Sequence, residues 1–118
     1  MISSVRQAEW AGVLQTFSDR NAGRRTLLEI DNPAMGAQTQ EHGFQLLGVT
    51  HDAKDERIQI MLGVFGDSTA PHLTHTVGDI VRVDVLTDET GRDTVLRIAQ
   101  RDTQTLLRVE QPELPELN

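Results

Sequence analysis

Residues 57–62 alternate without a break. Ile58, Ile60 and Leu62 fall on one side of an extended chain, with Arg57, Gln59 and Met61 on the other. A period of two marks a strand with one dry and one wet face. The pattern recurs in residues 80–87, where Val81, Val83 and Val85 oppose Arg82 and Asp84, and in residues 94–100, where Leu96 and Ile98 turn inward. Residues 25–31, 44–50 and 104–109 predict further strands. Turn residues separate them at Asn32 and Pro33 and in residues 52–56, 66–71, 88–93 and 101–103. Residues 34–41 are small and polar, and predict a loop or a weak strand. One-sided strands joined by short turns pair antiparallel, and their dry face needs a cover.

The cover is upstream. Trp10, Val13, Leu14 and Phe17 stand at i, i+3, i+4 and i+7, a single helical stripe. Ser4 with Gln7 offers a capping box, with Ser3 as the alternative cap. Asn21 and Gly23 offer the stop. The expectation is an α+β fold: an N-terminal amphipathic helix packed on a twisted antiparallel sheet of about five to seven short strands. An open sheet and a partly closed barrel both satisfy the pattern. The 118 residues fit one domain over residues 1–110, with 111–118 as an extended acidic tail.

Charge and residue usage narrow the function. The formal charge is −7, which argues against nucleic acid and against anionic membrane surfaces as partners. There is no cysteine, so disulfides and thiolate chemistry are excluded. No window reaches the roughly 20 apolar residues of a membrane span, and MISSVRQAEW lacks a signal-peptide core. A cytoplasmic location is the expectation.

The candidate chemistry is thin. In PHLTH, His72 and His75 are three apart, so on a strand they project to opposite faces and cannot share a metal. A site for zinc or another divalent cation would need a further ligand from His51, Asp52 or His42, with His51 the candidate beside His72 and His75. Without it, no cofactor is expected. The acidic groups in residues 52–56 and 88–93 read as solvated turns. No nucleophile elbow or phosphate loop is present. Trp10 reads first as an anchor of helix to sheet. With Gln38 it could also line a small-molecule pocket. Leu86, Met61 and Val95, apolar on nominally wet faces, point to a contact patch.

Four segments together carry a resemblance: AEWAGVLQTF around Trp10; EIDNPAMGAQTQ with Gly36 and Gln38; FQLLGVTHDAKDERIQIML with residues 47–52; and PHLTHTVGDIVRVDV with His72 and His75. The chain resembles a family of small bacterial proteins of unknown function, the domain-of-unknown-function family numbered 5335. His51 stands where that family tends to have Tyr, and Thr76 where Pro tends to follow the second His. The resemblance implies one domain and no particular activity. The residues therefore favour a non-catalytic protein-interaction or self-association module, a homo-oligomer among the options. The alternatives are a metal protein using His51, His72 and His75, and a small-molecule binder.

Overall fold

A computed structural model describes residues 1–111. Of the expected tail, only Gln111 falls within them. The elements run β1 (Ile2–Val5), α1 (Trp10–Asn21), β2 (Arg25–Asn32), β3 (Gly36–Asp52), β4 (Arg57–Gly63), β5 (Leu73–Val77), β6 (Ile80–Thr87), β7 (Asp93–Gln100) and β8 (Gln104–Val109). All eight strands join one sheet in the order β1-β6-β7-β8-β2-β3-β4-β5, and every pairing is antiparallel. The α+β expectation holds, with more strands than expected and no closure into a barrel.

Two strands, β1 and β5, lie outside the expected set, and β3 begins earlier than expected. The helix begins at Trp10, not near Ser4, because residues 2–5 pair with β6 instead. Ser4 caps nothing and donates its hydroxyl to Asp84 Oδ1 at 2.6 Å. Residues 36–41, expected as loop or weak strand, begin the 17-residue β3. Their side chains are almost all exposed, so no alternation marks them, and the strand is set by its ladder to β2.

Strand β3 is the hinge of the architecture. Both β2 and β4 reach Gln45: Arg25 pairs with it on one side and Gly63 on the other. Below Gln45 the strand belongs to β2, and above it to β4. Register shifts on both ladders, with Gly43 at φ +95°, accommodate the bend. The edge of β3 that β2 leaves open beyond Gln45 is taken by α1 and the chain leaving it. Gly23 N–H donates to Leu46 O, and Leu46 N–H to Arg24 O, each at 2.8 Å. Ser18 Oγ accepts from Val49 N–H at 2.8 Å and donates towards Val49 O at 3.0 Å.

The sheet curls strongly. Strands β5 and β6 stand far apart in the order, yet only Gly78 and Asp79 connect them. Three peptide steps span at most about 11 Å. Inside the curl, Trp10, Leu14 and Phe17 of α1 meet Leu46, Ile58, Ile60, Leu62, Val83, Leu96, Ile98 and Leu107, all buried. Val81 departs from the expected inward row of β6. A register shift between Ile80 and Arg82 turns it out, 64% exposed.

The helix end is fastened to β7. Arg20 clamps Asp93 through Nε at 2.8 Å and Nη2 at 3.1 Å, and Asn21 Nδ2 adds a bond to Asp93 Oδ2 at 2.8 Å. Arg24 bridges Asn21 Oδ1 and Gln111 Oε1.

Candidate functional site

The histidines are held apart by strand order and by where β5 begins. In β5, Leu73, His75 and Val77 pair with Leu62, Ile60 and Ile58 and share the core face. Thr74 and Thr76 face solvent, and His72 stands exposed just ahead of the strand. His75 is half-buried, and loss of water holds its imidazole below the ordinary histidine value. His51 also takes the core face, pairing with Ile58, but on β3, with β4 between it and His75. The three rings do not meet. Among the described residues, no three His, Asp or Glu side chains group as metal ligands would.

Trp10 is buried, and its Nε1 donates to Val5 O at 3.0 Å, joining the helix start to β1. Its ring meets His51 edge-on, centroids 5.4 Å apart. His51 Nε2 is buried with no hydrogen-bond partner. A cavity of about 280 Å³ lies by Trp10, between Gln7, the β3–β4 turn and the Gly78-Asp79 link. Gln38 is not part of it. It lies exposed on the early half of β3, opposite Ile30.

The acidic turns are caps. Asp52 Oδ1 accepts from Lys54 N–H at 3.0 Å, and Asp88 Oδ1 from Thr90 N–H at 2.8 Å. Two carboxylates have no place in that scheme. Asp93, expected in a solvated turn, is buried against Arg20 and Asn21. Asp84, on the outer face of β6, is fully buried. Its burial alone would raise its pKa, but hydrogen bonds from Ser4, Arg97 and Arg82 outweigh this and hold it below the usual carboxylate range. Arg82 Nε at 2.9 Å and Arg97 Nη2 at 2.9 Å both donate to Oδ2. The cluster ties β1, β6 and β7 together and is saturated.

The expected patch divides. Val95 is buried, and Leu86 and Met61 are only partly exposed. Met61 does, however, line a groove of about 560 Å³ on the outer face, with Leu47, Val64, Phe65, Ala70 and His72. Val64 and Phe65 are 46% and 53% exposed. Gln45 steadies Phe65, accepting its N–H at 3.0 Å and donating Nε2 to Gly23 O at 3.0 Å. Sequence periodicity missed Val64 and Phe65 because they follow the last residue of β4, outside any repeat. Their signal was two large apolar residues beside the turn residues Gly66 and Asp67.

The groove borders an unpaired edge. Strand β5 ends the sheet order, its register with β4 is unbroken, and none of its five residues is charged or proline. Sheet edges are normally blunted by charge, proline or a bulge.

No helix among the described residues is long and apolar enough to cross a membrane. No curated protein and no solved structure matches the chain. A family model, described as a family of unknown function (DUF5335), matches residues 1–117 of the 118, and the chain belongs to that family.

Proposed function

We propose that the protein is a non-catalytic binding module whose working surface is the β5 edge and the apolar groove beside it. The observation that supports this reading most is the unblunted edge itself: five neutral residues in unbroken register, bordered by the exposed Val64 and Phe65. Such an edge takes an added strand through main-chain hydrogen bonds, while a neighbouring pocket reads its side chains. The more elaborate polar networks, at Asp84 and at Asp93, join elements to one another and are engaged there.

The test is an NMR titration with short, uncharged, β-favouring peptides. Amide shifts concentrated at residues 73–77 and around Leu47, Met61 and Phe65 are expected. Shifts centred elsewhere, or none with any peptide, would contradict the reading.

A second reading, a small-molecule binder, draws on the cavity beside Trp10. The single tryptophan makes it testable: a metabolite that binds there changes Trp10 emission, and unchanged emission across a metabolite library contradicts the reading.

A further inference from the structure

Strand β5 reads Leu73, Thr74, His75, Thr76, Val77. Its chemistry is the same in both directions: apolar, Thr, His, Thr, apolar. A two-fold antiparallel junction sets residue i against residue j of the other copy and j against i, so a strand alike in both directions meets itself like against like: Thr on Thr, apolar on apolar, and His75 on His75 at the axis. We propose that the occupant of the β5 edge is a second copy of this chain, paired strand to strand about a two-fold axis at His75. The inference rests on the reading of β5 as the working edge and names its partner.

The register follows from the symmetry. Thr74 lies opposite Thr76 of the second copy on the solvent face, a hydroxyl pair that antiparallel sheets favour. Leu73 lies opposite Val77 on the core face, extending the apolar row that β5 shares with Ile58 and Leu62. No like charges meet, although each copy carries a formal −7 overall. The other terminal strand, β1, reads Ile2, Ser3, Ser4, Val5. A junction of β5 with β1 of another copy would be head-to-tail and would build a ring or an open filament, whereas the β5 pair closes at two. A five-residue strand makes a small interface, so the dimer is in reversible exchange with monomer.

The experiment uses the full chain in sedimentation velocity over a wide concentration series. The wild type is expected to pass from monomer to dimer. Thr74→Glu with Thr76→Glu, and separately Thr74→Lys with Thr76→Lys, each place like charges opposite one another, and each is expected to lose the dimer. Mixed together, the two variants regain it as a heterodimer. Both threonines are exposed, so the melts should stay near wild type. If either double variant fails to fold, the cysteine-free chain offers a milder probe. Thr74→Cys mixed with Thr76→Cys should cross-link under oxidation faster than either alone.

A wild type that stays monomeric throughout overturns the inference. So do charge variants that dimerise as well as wild type, or cysteine variants that cross-link equally fast mixed or alone. A strict monomer whose residues 73–77 still respond to peptides overturns only the self-pairing and leaves the module reading standing.

Discussion

Single side chains supply what the sheet cannot. Ser18 Oγ accepts from Val49 N–H at 2.8 Å at an edge that β2 does not reach, and shares its one hydroxyl proton between Leu14 O at 2.7 Å and Val49 O at 3.0 Å. Ser18→Ala leaves the Val49 N–H buried and unpaired, which should cost about 1–3 kcal/mol in chemical denaturation. Asp84 is enclosed, but Arg82 is 56% exposed, so the ion cluster is only partly dry. Asp84→Asn should therefore cost about 2 kcal/mol, less than a fully enclosed pair would. Its pH signature has a definite sign. The carboxyl is easier to ionise folded than unfolded, so its contribution is full above about pH 3.8 and is lost as acid protonates the folded group. His75 acts in another window. Its folded value lies below the ordinary 6.5, so the unfolded chain takes up the proton first and stability falls as pH drops below about 6.5. Melts from pH 7.5 to 5 should show this slope, and His75→Gln should reduce it.

At the scale of elements, alternation revealed the strands that bury one face and hid those that bury neither. Strands β4 and β7 were legible because Ile58, Ile60, Leu96 and Ile98 all reach the core. The early half of β3 was not, since its place comes from pairing with β2, a contact between segments. Strand β1 was hidden for the same reason: its partner β6 lies about 80 residues along the chain, and Ser3 and Ser4 read locally as caps. The histidine geometry was not legible either: His51 and His75 share the core face and are held apart by β4, and His72 stands ahead of β5. The groove came from the end of an element, where periodicity carries no information. One glycine packs behind its walls: a Cβ on Gly63 would come within 3.0 Å of both His72 Cβ and Leu47 Cδ1. Gly63→Ala should push those groups apart, cost about 1–3 kcal/mol in a thermal melt, and weaken peptide binding in the groove.

For the molecule as a whole, one sheet bends at β3 and curls until β5 nearly rejoins β6, while α1 seals the edge that the bend exposes. The sheet still has two ends. Strand β1 is short and tied to the ion cluster at Asp84. Strand β5 is longer, neutral and in unbroken register. On the proposed reading, strand addition belongs to the β5 end of the sheet. Amide hydrogen exchange of the full chain, compared between dilute and concentrated protein, addresses that point most directly. Residues 73–77 should gain protection on concentration, while β1 and the β2–β3 hairpin stay unchanged. Protection that ignores concentration at β5, or rises instead at β1, would contradict the account.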